Sequence, residues 1–337
     1  MKYPSFIQKG SHIGVPAPSA GCKDDLKKNR FENAKKKLEE LGYSLTLSKN
    51  LFHNEKGRSA SKEERGKEFN EMIQNKNIDM ILCATGGDFL LEMLPYVDFE
   101  LLKENPKYVV GFSDPTGLLF PITTKYDIAT IYGMNFSPLG AESYSKSHMD
   151  FLNMMEGKVL EVESYDYYEN EYREQVTGLE GYHLTEKVEW KTLDGKEADI
   201  KGRILGGCFD IISDLMGTKY DGMKEFNERY QKEGIIWFFD NCEISMEETI
   251  RILWKMKEMN YFQYAKGVIF GRFGVNSTTY DYDVKSCLKD SVLNELGIPI
   301  IYDADISHKA QCMPIINGSM AHVTCKEGKG KIKFSLE

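Results

Sequence analysis

Ser113 stands at the junction of a strand and a helix in the stretch Lys107-Tyr-Val-Val-Gly-Phe-Ser-Asp-Pro-Thr-Gly-Leu-Leu-Phe120. Tyr108 to Phe112 is a short β-branched and aromatic run, which reads as a buried strand. Asp114 and Pro115 read as a helix start, because proline's missing N–H would have no intrahelical partner there. A nucleophilic serine needs this place, with its side chain at a sharp turn and free backbone N–H groups nearby for an oxyanion. The plainer role for such a serine is a helix cap. A serine nucleophile also needs a base, and the base an orienting acid. Six histidines are available, His12, His53, His148, His183, His308 and His322. His308 is singled out because Asp303-Ala-Asp-Ile-Ser-His308 is a loop after the strand Ile298–Tyr302, and Pro314-Ile-Ile-Asn-Gly318 turns into another strand. Two acids follow the buried strand Ile235–Phe239, Asp240 at its end and Glu243 just beyond. Glu243 also fits as a favourable charge near a helix N-terminus. The order serine, acid, histidine along the chain is one of the known triad orders.

The elements that must position these residues alternate. A strand opens at His12, and Lys27–Leu41 carries Phe31, Ala34, Leu38 and Leu41 at helical spacing. Tyr43–Leu47 is a second strand, a helix follows from Ser61, and Ile78–Ala84 is a third strand ending in Gly86-Gly87. A further helix over Phe89–Leu94 leads to the Ser113 strand. Such alternation predicts a doubly wound, mostly parallel sheet, whose ligands gather at the C-terminal strand ends. The loop Pro16–Ser19, Gly86-Gly87 and Ser113 would all lie on that edge. Tyr165–Tyr182 has no clear period and reads as a connector or irregular hairpin. A helix is expected over Met246–Met259, with Ile250, Leu253, Trp254 and Met256 apolar. The expected domains are 1–165, carrying the nucleophile, a connector 166–186, and 187–337, carrying the acid and the histidine.

The chain has 337 residues, a length that suggests two domains. Hydrophobic residues make up 41%, charged ones 28%, and the mean hydropathy is −0.44, the profile of a soluble protein without a membrane span or signal peptide. A formal charge of −9 and a pI near 5.4 disfavour nucleic acid as a partner. Seven cysteines, scattered and never in a CxxC pair, argue against a zinc site and a disulfide framework and point to the cytoplasm. No metal and no cofactor is expected. GxGxxG and GxxxxGK[ST] are missing from the strand–helix junctions, which weakens a nucleotide-cofactor reading.

Taken together, the motifs resemble the LD-carboxypeptidase family of serine peptidases, and its microcin-immunity branch most. They are Gly86-Gly87, Leu94-Pro95-Tyr-Val-Asp98, Asn105-Pro106-Lys107, Gly111-Phe-Ser-Asp114, Gly57-Arg58-Ser59-Ala60-Ser61 before Glu63-Glu64-Arg65, Gly202-Arg203-Ile-Leu-Gly206-Gly207, Gly217-Thr218, Phe239-Asp-Asn-Cys242, Gly271-Arg272 and His308…Pro314…Asn317-Gly318. The resemblance spans nearly the whole chain. It implies a Rossmann-like N-terminal domain, a β-rich C-terminal α/β domain, an active site between them and a homodimer. It carries the nucleophile to Ser113 and the base to His308. The family's acid, normally glutamate, falls on Asp240, one methylene shorter, which keeps Glu243 open as the working acid. Ser307 stands where the family usually has glycine. Backbone N–H groups of Gly87 and Asp114 are the implied oxyanion donors. The implied activity is a metal-free serine carboxypeptidase or amidase. Its substrate would be an L,D-peptide bond of cell-wall tetrapeptide or an amide in a small peptide-like or acylated-nucleotide molecule. A non-catalytic small-molecule binding protein on the same α/β scaffold is the rival. In it Gly86-Gly87 would cradle an anion, and Trp190 could stack on a base or simply pack.

Overall fold

A computed structural model describes residues 1–337. The chain divides into two compact units. The first comprises Met1–Val159, Tyr172–His183 and Pro314–Ile316, and the second Leu160–Glu171, Leu184–Met313 and Asn317–Glu337.

The first unit contains β1 (His12–Val15), α1 (Asp25–Glu40), β2 (Ser44–Leu47), α2 (Lys62–Gln74), β3 (Met80–Leu82), α3 (Glu100–Glu104), β4 (Tyr108–Gly111), α4 (Thr116–Tyr126), β5 (Thr130–Tyr132) and α5 (Lys146–Met155). Helix α1 forms because Phe31, Ala34 and Leu38 line one buried face and Asp24 caps its start, accepting from the Lys27 N–H at 2.8 Å. Leu41 falls outside it, as an exposed residue past the last turn. Ser61 and Glu64 form a reciprocal capping box at the head of α2. The helix expected over Phe89–Leu94 is a 3₁₀ segment, Leu90–Tyr96. Pro95 lies inside it, and its missing N–H removes the bond a longer α-helix would need. β2, β1, β3, β4 and β5 pair in that order, all parallel. β3 and β4 are buried throughout, as strands covered on both faces must be. The order reverses between β1 and β3, the switch point where doubly wound sheets open a ligand crevice.

The second unit holds β6 (Glu161–Glu163), β7 (Tyr167–Tyr168), β8 (Glu186–Lys187), β9 (Lys191–Thr192), β10 (Ala198–Cys208), α6 (Phe209–Leu215), α7 (Met223–Tyr230), β11 (Ile235–Asp240), α8 (Met246–Glu258), β12 (Ala265–Gly271), α9 (Val284–Asp290) and β13 (Ile300–Ala304). β14 (Ile315–Asn317) then pairs beside β5 as the edge of the first unit's sheet, and β15 (Met320–Lys326) and β16 (Lys329–Ser335) return to the second. The eight-stranded sheet runs β6-β16-β15-β10-β11-β12-β13-β9. Its centre, β10 to β13, is parallel, and its flanks are antiparallel. β10 alternates buried and exposed over Ala198–Lys201, then is buried without a break from Gly202 to Cys208, where β11 covers its other edge. In α8 the buried stripe is Met246, Thr249, Leu253 and Met256. Trp254, expected in that stripe, lies one position round the helix from Leu253 and is 57% exposed.

Candidate active site

Ser113 follows β4 by two residues and is held in the left-handed region at φ 68°. For a residue with a Cβ this conformation costs roughly 1–2 kcal/mol, so the surroundings must impose it. They do so from both sides. Asn135 brackets the residue before the serine, accepting from the Phe112 N–H at 2.9 Å and donating back to its carbonyl at 3.1 Å. Beyond the serine, Thr116 N–H closes onto the Ser113 carbonyl at 2.9 Å, and Gly117 N–H onto Asp114 at 2.9 Å. The chain thus passes from strand to helix over the four residues Phe112–Pro115, the strand–turn–helix geometry in which a serine nucleophile could be mounted on an α/β sheet.

The β3 loop closes on this turn. A Cβ placed on Gly86 would lie 3.3 Å from Ser113 Oγ. Gly87 has φ 148°, and a side chain there would run into Ser19 Oγ. Neither the Gly87 nor the Asp114 backbone N–H donates to any other group of the protein. Both are free to meet a developing negative charge. Asp114 itself points inward. Its Oδ2 accepts from the Ser19 hydroxyl and from the Leu90 N–H at 2.9 Å, while buried Oδ1 has no partner. Arg65, fully buried, donates to the carbonyls of Pro18 at 2.8 Å and Phe89 at 2.9 Å, tying the loops after β1 and β3 together.

Burial lifts the Asp114 carboxyl from its ordinary 3.8 to about 6, against the pull of its two hydrogen bonds. A carboxyl that holds its proton more tightly folded than unfolded adds stability below pH 4. That stability disappears as pH rises through 6. Asp114→Asn should therefore gain on the native protein by about 2 kcal/mol between pH 4.5 and 7. Urea denaturation at the two pH values measures the shift, and an unchanged difference would refute the buried-acid assignment.

In the second unit, Asp240 is the last residue of β11 and is fully buried. The His308 Nδ1–H donates to its Oδ1 at 3.0 Å, and the His308 backbone N–H donates to the same oxygen at 3.2 Å. The imidazole remains 15% exposed. Burial works against its protonated form, but the Asp240 charge and hydrogen bond outweigh this and hold His308 well above its ordinary value. The two residues come from strands that are not neighbours, since β12 lies between β11 and β13. The loop after β13 crosses the end of β12 at Gly271, where any Cβ would strike the Ile306 backbone. Arg272 then clamps the loop, donating to Asp305 Oδ1 at 2.7 Å, Lys309 O at 3.1 Å and Gln311 O at 3.0 Å. Ser307 Oγ donates to Arg272 O at 2.6 Å and accepts from the Lys309 N–H at 2.9 Å. The loop comes close enough that an aspartate suffices to reach the imidazole.

Glu243 is placed differently. Its side chain is exposed, and its backbone N–H donates to Asp210 Oδ1 at 2.9 Å, while Cys242 N–H donates to Asp210 Oδ2 at 3.0 Å. Burial pushes the Cys242 thiol up, so it is a weak acid. Trp190 is buried at 2% exposure, and its indole N–H donates to Asp305 Oδ2 at 2.9 Å, so it packs within the protein. The sequence reading did not assign roles to Asp210, Asn135, Ser19 or Arg272. Asp210 had a legible signal, an acid in the first turn of α6, three residues after the Gly206-Gly207 pair at the end of β10. The partners of Asn135 and Ser19 are 23 and 95 residues away, which no local pattern reveals. No group of three or more His, Cys, Asp or Glu side chains is arranged to hold a metal. No helix is long and apolar enough to cross a membrane.

A serine at a strained strand–helix turn and a histidine oriented by a buried acid are groups a serine hydrolase would need, and the sequence relationships give the family. Residues 13–133 match the LD-carboxypeptidase N-terminal domain and residues 201–323 the LD-carboxypeptidase C-terminal domain, so the chain belongs to this peptidase family. It is 27% identical to MccF, a microcin self-immunity protein of Escherichia coli, over 89% of this chain and 86% of that one. It is also 27% identical to a Bacillus subtilis chain named "Probable murein peptide carboxypeptidase", over 99% and 95% of the two chains. The fold matches a solved structure of MccF in complex with aspartyl sulfamoyl adenosine at a TM-score of 0.83, covering 98% of each chain at 22% identity.

Proposed function

We propose that the chain is a serine carboxypeptidase or amidase in which Ser113 is the nucleophile, His308 the base and Asp240 the orienting acid. Ser113 Oγ attacks the substrate carbonyl while His308 Nε2 takes its proton. The N–H groups of Gly87 and Asp114 receive the oxyanion. His308 returns the proton to the leaving amine, and the acyl-enzyme is then cleaved by water activated by the same imidazole. The buried Asp240 fixes the Nδ1–H tautomer, leaving Nε2 for this work. The observation that carries this reading is the left-handed Ser113 beside two free backbone N–H groups, in a chain of a peptidase family. The substrate is a small amide, and an aminoacyl-nucleotide is favoured because MccF has been solved with aspartyl sulfamoyl adenosine. The L,D-peptide bond of cell-wall tetrapeptide is the second substrate class, suggested by the murein-named relative.

A fluorophosphonate probe should label the native protein once, and Ser113→Ala should abolish labelling. Unlabelled native protein would favour a small-molecule binder instead. Mass spectrometry of a panel of L,D-tetrapeptides and aminoacyl-adenylate analogues then separates the two substrate classes.

A further inference from the structure

A cavity of about 230 Å³ opens in the second unit beside the His308 loop. Its wall carries four cationic side chains, Lys187, Lys191, Arg272 and Lys309, against two carboxylates, Glu189 and Asp303. That balance is opposite to the chain as a whole, whose formal charge is −9. Lys191 is paired with Asp303 at 3.0 Å. Lys187 and Lys309 have no carboxylate partner. Burial, and secondarily the neighbouring Arg272 charge, push the Lys309 ammonium below its ordinary value. Arg272 is 5% exposed, and although both its terminal nitrogens are engaged, its buried Nε–H has no acceptor. The Tyr168 ring covers the guanidinium, 4.4 Å from centroid to carbon, and holds it in place. Buried donors are normally satisfied, and this one belongs to the same wall as Lys187 and Lys309, neither of which is paired with a carboxylate.

We propose that this cavity binds an anionic group, a carboxylate or a phosphate, held by Lys187 and Lys309 with Arg272 at its base. Lys309 directly follows His308, so an anion held here sits on the loop that carries the proposed base. If the anion is a substituent of the substrate, the cavity is a specificity subsite, and this part rests on the hydrolytic reading. If it is a free anion, the site stands without that reading.

Isothermal titration of inorganic phosphate and of succinate into the intact protein at low salt tests the proposal, beside the double variant Lys187→Ala/Lys309→Ala. Both lysines reach the surface, and a thermal melt confirms that the variant folds. The native protein should show saturable binding to at least one anion, and the variant should bind it about tenfold more weakly or worse, as expected for losing charge-assisted contacts. Equal binding by both proteins, or no heat from either anion, would overturn the proposal. A bound anion that competes with a cleaved substrate, raising KM at constant kcat, identifies a substrate-borne group, whereas binding without competition identifies a free-anion site. Fluorophosphonate labelling of the same samples separates the two failures. Absent labelling with intact anion binding would remove only the hydrolytic reading, and absent anion binding with intact labelling would remove only the anion site.

Discussion

Ser113→Ala should lower turnover by about 10³-fold or more, His308→Ala should do the same, and the double variant should be little worse than either. In the proposed mechanism the two side chains act as one proton-transfer unit, so removing either would leave the other without a function. What survives comes from the backbone N–H groups and from binding. The folded state should tolerate both changes. Ser113 has a second, separable contribution, because its φ of 68° is unfavourable for any residue with a Cβ. Ser113→Gly should therefore be as inactive as the alanine variant yet more stable than native, by about 1 kcal/mol or somewhat more. Turnover on the cleaved substrate and urea midpoints of the three purified variants check this. Near-native turnover in Ser113→Ala would remove the serine from the mechanism. A destabilised glycine variant would show that the turn is not strained.

Asp240→Asn should cost about 10⁴-fold in turnover, by analogy with the protease triad in which the same change leaves the histidine in the wrong tautomer. Asp240 is fully buried and accepts both the ring and the backbone N–H of His308. An amide there can neither stabilise the imidazolium nor select the Nδ1–H form. The pH dependence adds a second readout. With His308 held well above its ordinary value, the neutral base is scarce at low pH, and kcat/KM should rise with pH through a limb above pH 6.5. The pair's contribution to stability has the matching sign. It is present below 6.5 and is lost as pH rises through the higher folded value. In Asp240→Asn the activity limb should move to lower pH. Glu243→Gln should leave turnover close to native and stability within about 0.5 kcal/mol, as for most exposed positions. A large loss in Glu243→Gln with Asp240→Asn unaffected would transfer the acid's role to Glu243.

The alternation of strands and helices over the first 130 residues was legible because each element carries its own period, as Phe31, Ala34 and Leu38 show in α1. So was the position of Ser113 at a strand end, since Pro115 and the β-branched run before it are local signals. The backbone sign at Ser113 was not legible. Serine seldom adopts a left-handed φ, and here it is forced by Asn135 and by the α4 turn rather than by its own preference. The choice between Asp240 and Glu243 was equally closed to local reading, because the two stand three residues apart with similar chemistry. What distinguishes them is the path of the β13 loop over Gly271, a contact between residues 35 positions apart. Trp190 and Trp254 show the same limit. One is fixed by a distant carboxylate, the other turned outward by a single helical step.

The strand β14 has a consequence for biosynthesis. As the chain emerges from the ribosome, β1 to β5 are complete by residue 132, but the strand that borders β5 is encoded at Ile315–Asn317. For more than half of translation the nascent sheet has an open edge at β5, with unpaired backbone donors and acceptors that could recruit a strand from another chain. A truncated product ending near residue 159 would keep that edge permanently and should aggregate, even though it contains the whole serine turn. Supplying the Pro314–Asn317 segment as a peptide offers a direct way to close it.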